Sequence, residues 1–199
     1  MSLDAAVPAV GAPAGEREPT RAWALANLVA TQLGWFACVL GAAHGQPWLG
    51  TATAVLVVAW HLGRAPRGRV EARLVLATIL LGSSFDAALQ ATGALAFVGG
   101  HWLPGLGPHW MTALWALFAV TLNVLLRWLH GRWALCALLG AIAGPLSFAG
   151  GARLGAATLS EPVLALGLIG AGWAVMLPLL VALAMRFDGV GTEGAVAKR

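Results

Sequence analysis

PVLALGLIGAGWAVMLPLLVALAMR, residues 162–186, is the stretch of the sequence that decides the fold class. It carries no charged side chain before its last residue, Arg186. A helix needs about 20 mainly apolar residues to cross the hydrocarbon core of a bilayer, and this run is long enough. The preceding Ser160 and Glu161, followed by Pro162, form a typical helix start with serine as the N-cap. The stretch therefore predicts a transmembrane helix.

The composition of the whole chain extends this conclusion. Of the 199 residues, 59% are hydrophobic and only 10% are charged, whereas a soluble domain carries about 25% charged residues. Lipid must therefore be the solvent for most of the chain. The isoelectric point near 10.5 does not indicate a nucleic-acid partner, because the few basic residues lie at the ends of apolar runs. Cys38 and Cys136 lie inside such runs and do not suggest a disulfide or metal framework.

We predict an all-α integral membrane protein, a six-transmembrane-helix bundle with both termini cytoplasmic. The apolar runs place the spans at about 23–44, 47–63, 72–98, 110–129, 133–156 and 162–186. They form one domain over 22–186, with a disordered cytoplasmic tail at 1–21 and a cytoplasmic tail at 187–199. With the spans alternating, all of the 12 Lys and Arg except Arg153 lie on the inner side. This asymmetry supports the orientation and an even number of spans.

Several polar residues lie at membrane depth. Asp86 is well inside the third span, and an ionisable group there indicates a functional site. Gln90 shares its helix face, and Gln32 and Ser147 lie at similar depths. We predict one polar pocket, and its candidate residues are Asp86, Arg153, Gln32, Gln90, Ser147, Asn123 and Asn27. For the neutral side chains, contacts that only hold helices together are the competing interpretation.

Arg153 allows two interpretations. Its guanidinium either reaches the headgroups from the end of the fifth span or lies over the polar pocket. In the pocket it would pair with Asp86, with Glu161 as the competing partner. Gly144-Pro145 predicts a kink in the same span, and Pro178 predicts one in the sixth.

The sequence gives little support for catalysis. It contains no GxSxG, HExxH, Walker or CxxC motif. His44, His101 and His109 fall on the predicted outer side but lack a short metal-ligand spacing. We therefore predict no catalytic residue, no cofactor and no metal.

Four blocks of the sequence resemble a known family. They are NLVATQLGWFACVLGAA (27–43), LGSSFDAALQATG (81–93), LWALFAVTLN (114–123) and LLGAIAGPLSFAGGARLGA (138–156). They are similar to the signature blocks of a small bacterial inner-membrane family, domain of unknown function 2878. The resemblance covers about residues 25–186 and implies motif positions at Asn27, Gln32, Trp35, Cys38, Asp86, Trp115, Asn123, Pro145, Ser147, Arg153 and Gly155. The resemblance implies a multi-pass location in a bacterial inner membrane. The family has no established activity, and its members are often encoded beside proteins that resemble cyclopropane-fatty-acid synthases and flavin-dependent oxidoreductases.

These observations favour an accessory or binding protein in membrane-lipid (fatty-acyl) modification that uses the intramembrane pocket. The alternatives are a small proton- or ion-coupled transporter and a structural helix-packing module without a ligand. The expected partners are the lipid bilayer and, in the pocket, a lipid headgroup or a membrane-protein partner. The oligomeric state is left open.

Overall fold

The structure, a computed structural model, describes residues 19–103 and 105–191. Six α-helices are found in these ranges: α1 (Arg21–Ala43), α2 (Pro47–Arg64), α3 (Gly68–Ala91), α4 (His109–Leu122), α5 (Trp133–Arg153) and α6 (Pro162–Arg186). Two three-residue strands, β1 (Leu95–Phe97) and β2 (Ala157–Leu159), pair antiparallel. A short 3-10 turn, Arg127–Leu129, lies between α4 and α5.

The helices run back and forth between two ends of one bundle. At the first end, which we call the hairpin end, β1 and β2 pair, and Thr51 near the start of α2 bonds to His109 at the start of α4. At the other end, which we call the arginine end, Asn123 after α4 bonds to Glu71 near the start of α3. The predicted spans and the observed helices therefore follow the same alternating order.

Helix α4 lies at the centre of the bundle. It packs against α1, α2, α3 and α6, and 10 of its 14 residues are buried. It has 14 residues, and at about 1.5 Å per residue it is only about 21 Å long. A hydrocarbon core is thicker, at about 30 Å. Its neighbours shield it, so its own length need not match a bilayer. Large apolar side chains are exposed on the surrounding helices instead, among them Val163 and Leu146.

The helical bundle is that of a membrane protein. Four of the described helices, α1, α3, α5 and α6, are long and apolar enough to cross a membrane. Helix α2 and the shorter α4 are not among these four. Six crossings, and cytoplasmic termini, therefore stay predictions.

Three helices end at least three residues before their predicted spans do. Helix α3 ends at Ala91 instead of residue 98, because Thr92 caps it and Gly93 adopts a φ of 72°. The apolar residues that follow form the three-residue strand β1 instead of the last turns of a helix. Helix α4 ends at Leu122 instead of 129, and α5 ends at Arg153 instead of 156. A short apolar run does not by itself distinguish a buried strand from the end of a helix, so composition extended these spans too far.

Both predicted kink sites lie inside continuous helices. Helix α5 runs through Pro145, and α6 runs through Pro178. A Cβ atom on Gly144 would lie 2.4 Å from the indole of Trp173, so this glycine lets α5 approach α6 closely. The kinks themselves stay predictions, while close packing at Gly144 is a feature of the structure.

The first residues of the predicted C-terminal tail are packed. Val190 is buried, and the Gly189 backbone N–H donates to Glu71 at 2.8 Å. Arg67 donates to the carbonyl oxygens of Asp188 and Gly191. Residues 187–191 therefore pack against the bundle, and the cytoplasmic location of the C-terminal tail stays a prediction. The tail predictions for 1–18 and 192–199 fall outside the described residues.

Candidate functional site

A crevice lies between α1 and α5, with α4 as its floor and α6 on one side. Its volume is about 140 Å³. Helices α1 and α5 share almost no direct contact along their length and approach each other near the hairpin end, where a Cβ atom on Gly155 would lie 3.4 Å from Ala43. The lining residues are Thr31, Gln32, Trp35, Met111, Leu114, Trp115, Leu117, Phe118, Thr121, Ser147, Phe148 and Trp173. Gln32 and Ser147 are exposed, so the crevice opens on the surface of the bundle.

A smaller cavity of about 40 Å³ continues the crevice toward the hairpin end. The two share lining residues from α1, α4 and α5, including Trp35 and Phe148. The smaller cavity also contacts Phe97 of β1 and Ala157 of β2. Together the two cavities form an elongated, largely apolar cleft.

Gln32, Ser147 and the indole N–H of Trp173 have no hydrogen-bond partner among the described residues, whereas the two threonines of the lining are bonded. The Thr31 hydroxyl donates to the Asn27 carbonyl at 2.7 Å, and the Thr121 hydroxyl donates to the Phe118 carbonyl at 2.7 Å. Within residues 19–103 and 105–191, no hydrogen bond is made by the side chains of Gln32 or Ser147. The predicted association of Gln32 with Ser147 in one pocket thus has a structural counterpart in this crevice.

Asp86 lies behind the floor of the crevice, not in it. Its side chain is buried, and the Trp115 Nε1–H donates to its Oδ2 at 2.6 Å. The same indole lines the crevice and stacks on Trp173, with ring centroids 5.3 Å apart. A Cβ atom on Gly82 would lie 2.0 Å from the Trp115 ring, so the ring fits only because residue 82 is glycine. Trp115 therefore separates Asp86 from Gln32 and Ser147.

Gln90 lies on the Asp86 side of Trp115. A Cβ atom on Gly107 would lie 3.6 Å from Asp86 and 4.0 Å from Gln90, which places both side chains beneath this loop. Asp86 Oδ1 and Gln90 Nε2 are buried and have no partner among the described residues. The pairing of these two residues in the predicted pocket matches their placement, although they lie apart from the crevice.

The two asparagines lie toward the arginine end. Asn27 donates to the Val120 carbonyl at 3.1 Å. Asn123 donates to Glu71 Oε1 at 2.7 Å and to the Phe187 carbonyl at 3.3 Å. Both asparagines join helices by hydrogen bonds to other groups of the protein. This agrees with the alternative interpretation of the neutral side chains, in which their contacts only hold helices together.

Asn123 belongs to a buried network that the sequence analysis missed. Glu71 and His61 are both 0% exposed, and His61 Nε2 lies 3.0 Å from Glu71 Oε2, where a ring N–H donates to the carboxylate. Glu71 Oε1 accepts from Asn123 and from the Gly189 backbone. The predicted third span began at 72 and left Glu71 outside, but α3 begins at Gly68. The sequence did contain a signal for this network, because Glu71 is the single acidic residue of the basic stretch 64–73.

Arg153 is exposed at the end of α5, close to the hairpin end. No ion pair joins it to Asp86 or to Glu161, all three of which lie in the described ranges. Of the two interpretations of Arg153, this placement agrees with a guanidinium at the membrane surface. The seven predicted pocket residues thus lie in four places: the crevice, the site behind Trp115, the arginine end and the end of α5.

At the arginine end, Arg127 and Asp188 form an ion pair with a distance of 2.5 Å. Burial by itself would raise the pKa of Asp188, but hydrogen bonds from Arg127 and from the Gly191 and Val190 backbone bring this pKa below its ordinary value. A lowered pKa in the folded state stabilises the fold above the ordinary pKa of the carboxyl group, and this contribution is lost as the pH falls through the lowered value.

We therefore expect Asp188→Asn to reduce the free energy of unfolding by about 1 kcal/mol or less at neutral pH, because the pair is partly exposed. The difference between wild type and variant should shrink as the pH is lowered below 3.8, the ordinary value for this group. Denaturant unfolding of both proteins in the same detergent, compared at each pH, measures this difference. A difference that stays constant through acid pH would contradict the assignment.

Comparison with known proteins supplies the family. The model described as Protein of unknown function (DUF2878) matches residues 24–179, well over half of the chain. The chain belongs to this family. The resemblance predicted from the four sequence blocks is thereby confirmed. No curated protein and no solved structure matches the chain. The DUF2878 match begins in α1 and ends in α6, so it contains all of the residues that line the crevice, and Asp86 as well.

Proposed function

We propose that this DUF2878 protein is an accessory or binding protein in membrane-lipid modification, and that it holds a lipid acyl chain in the crevice between α1 and α5. The observation that carries the proposal is the position of the crevice, which opens on the lipid-facing surface of a membrane bundle instead of toward either end. A lipid can then enter sideways from the bilayer without leaving the hydrocarbon.

The chemistry of the walls supports binding over catalysis. The lining is apolar and aromatic, apart from two threonines, Gln32 and Ser147. Ser147 is a hydroxyl that could act as a nucleophile, but none of the lining residues is a His, Asp, Glu or Lys that could serve as its general base. Apolar walls with a few placed polar groups are typical of a site that binds and orients a ligand.

Filling the crevice tests the proposal. We expect Ser147→Phe to lower the occupancy of co-purified phospholipid about tenfold, because overpacking a cavity costs about 1–3 kcal/mol. Native mass spectrometry of protein released from nanodiscs measures the occupancy. Leu146→Phe is the matched control, since Leu146 is exposed on the same helix but does not line the crevice. Equal lipid occupancy in both variants and wild type would exclude the crevice as the binding site.

The physiological part of the proposal needs a second experiment. In the parent organism, deletion of the gene should change the acyl-chain profile of the phospholipids. Wild type should restore the profile and Ser147→Phe should not. An unchanged profile would leave a lipid-binding protein without a role in lipid modification.

A proton- or ion-coupled transporter is the second candidate, and the buried carboxylate of Asp86 is the observation that favours it. Its Oδ1 atom has no partner among the described residues, so it is free to take a proton or contact a cation. Proton flux into proteoliposomes that Asp86→Asn abolishes would support this candidate. Flux that is absent, or insensitive to Asp86→Asn, would remove it.

A further inference from the structure

We infer that the acyl chain held in the crevice carries a neutral, hydrogen-bonding oxygen near its middle, such as a hydroxyl, keto or epoxide group. The inference rests on the proposed function and specifies its ligand. It is carried by the depth of Gln32 and Ser147 and by the freedom of their polar groups.

Gln32 lies far from the headgroups, and Ser147 lies inside its helix but nearer to one end. Gln32 is at the centre of α1, 11 residues from Arg21 and 11 from Ala43, which is about 16 Å from either end of the helix. Ser147 is 14 residues into α5 and six from its last residue, or about 21 Å and 9 Å from the two ends. The ester oxygens of an ordinary phospholipid lie at the edge of the hydrocarbon core, about 15 Å from its centre. They would not reach Gln32, whereas a group in the middle of a chain would.

Both side chains also need a partner. A carboxamide or hydroxyl in hydrocarbon without a hydrogen bond is unfavourable, and neither side chain is bonded to another described group of the protein. Thr31 and Thr121, the other two polar side chains in the lining, satisfy their hydroxyls on backbone carbonyls. Among the described lining residues, Gln32 and Ser147 thus have free groups that can both donate and accept, and the Trp173 indole N–H is a further donor without a partner.

The character of these groups limits the ligand. A carboxamide and a hydroxyl are neutral, and each can both donate and accept. No charged side chain lines the crevice, so a carboxylate, phosphate or ammonium group would lie there without a counter-ion. A neutral oxygen on the chain is the complement of this pair.

The size of the crevice favours a chain over a protein helix. One turn of a helix with its side chains, about 10 Å across and about 5.4 Å long, occupies about 400 Å³, whereas the space between α1 and α5 is about 140 Å³. A partner helix would rest on the rim of the crevice, and a single chain would enter between the walls, where the two cavities form one elongated cleft.

Competition between two matched lipids tests the inference. The probes are phosphatidylglycerol with stearoyl chains and the same lipid with a hydroxyl group at the middle of one chain. In nanodiscs containing equal amounts of both, native mass spectrometry should show a three- to tenfold preference for the hydroxylated lipid, as expected for about one or two interhelical-type hydrogen bonds in a membrane. The double variant Gln32→Leu/Ser147→Ala should still bind lipid but lose the preference.

Ser84→Ala is the matched control, because Ser84 is exposed on α3, bonds to the Leu80 carbonyl and does not line the crevice. It should keep the preference. Equal binding of both lipids to wild type, with Ser147→Phe still blocking both, would overturn the inference and leave the proposed function standing. Binding of neither lipid would overturn both. A double variant that keeps the preference would also overturn the inference. A double variant that changes the oligomeric state without changing lipid binding would overturn it too, and would indicate a partner helix.

Discussion

Glu71→Ala is expected to destabilise the protein by about 3–5 kcal/mol, because each buried donor left without an acceptor costs about 1–3 kcal/mol and Glu71 serves several donors. Glu71 accepts hydrogen bonds from His61, Asn123 and the Gly189 backbone. Alanine would leave these donors buried without an acceptor and would leave a cavity beside them. The change in the free energy of unfolding is measured in a detergent titration, in which the loss of the helical circular-dichroism signal monitors unfolding.

The matched control is Glu161→Ala. Glu161 is exposed at the start of α6, and its side chain makes no capping hydrogen bond. Its replacement should change the free energy of unfolding by less than about 0.5 kcal/mol. If Glu71→Ala were as mild as this control, the network at the arginine end would contribute little to stability. Glu71→Gln adds a further comparison, because it keeps the shape but offers a neutral acceptor, and it should fall between alanine and wild type.

Gly50→Ala is the second large effect that we expect. A Cβ atom at residue 50 would lie 2.2 Å from the Cα atom of Cys38 in α1 and 2.6 Å from its nitrogen. These are backbone atoms of a packed helix, so α1 and α2 must move apart to accept a methyl group. Overpacking of this kind costs about 1–3 kcal/mol, and more where the backbone has to shift. The same detergent titration should show a lower midpoint.

Helix α2 supplies its own control for this prediction. Gly63 is exposed near the end of the same helix, and a Cβ atom there would meet nothing within 4 Å. Gly63→Ala should be neutral or stabilising by up to about 1 kcal/mol, since alanine is the better helix former. Opposite signs for the two substitutions would establish that the loss at Gly50 comes from helix contact and not from helix propensity. A loss of the same size at both positions would contradict this.

The sequence predicted best the features that depend on local composition. The bounds of α6, Pro162–Arg186, agree with the predicted span because Pro162 begins the helix and its apolar run ends at a charge. The predicted serine N-cap was wrong, since Glu161 is the N-cap and makes no side-chain capping bond. The predicted end of α3 was too late because Leu95–Phe97 is as apolar as the residues of a membrane-spanning helix. These three residues form β1, and their pairing with β2 depends on residues far along the chain. Local pattern carries no information about such a partner.

The single polar pocket stays a prediction, and the structure distributes its candidate residues over several places. Gln32 and Ser147 share a crevice, at about 16 Å and about 9 Å from the hairpin-end termini of their helices. Depth does not give the direction in which a side chain faces, so it could not place the Trp115 ring between them and Asp86. Glu71 was missed for a related reason, since its burial depends on residues after α6 that local hydropathy does not relate to α3.

The bond between Gly189 and Glu71 has a consequence for the order in which the protein is assembled. The two residues are 118 positions apart in the chain, and chains are synthesised from the N-terminus. Glu71 enters the bundle long before Gly189 leaves the ribosome, and its carboxylate lacks one of its donors throughout that interval. The arginine end is therefore the last part of the molecule to be completed during biosynthesis. A chain that stops before residue 189 would contain all six helices and still lack the hydrogen bond from the Gly189 backbone to Glu71.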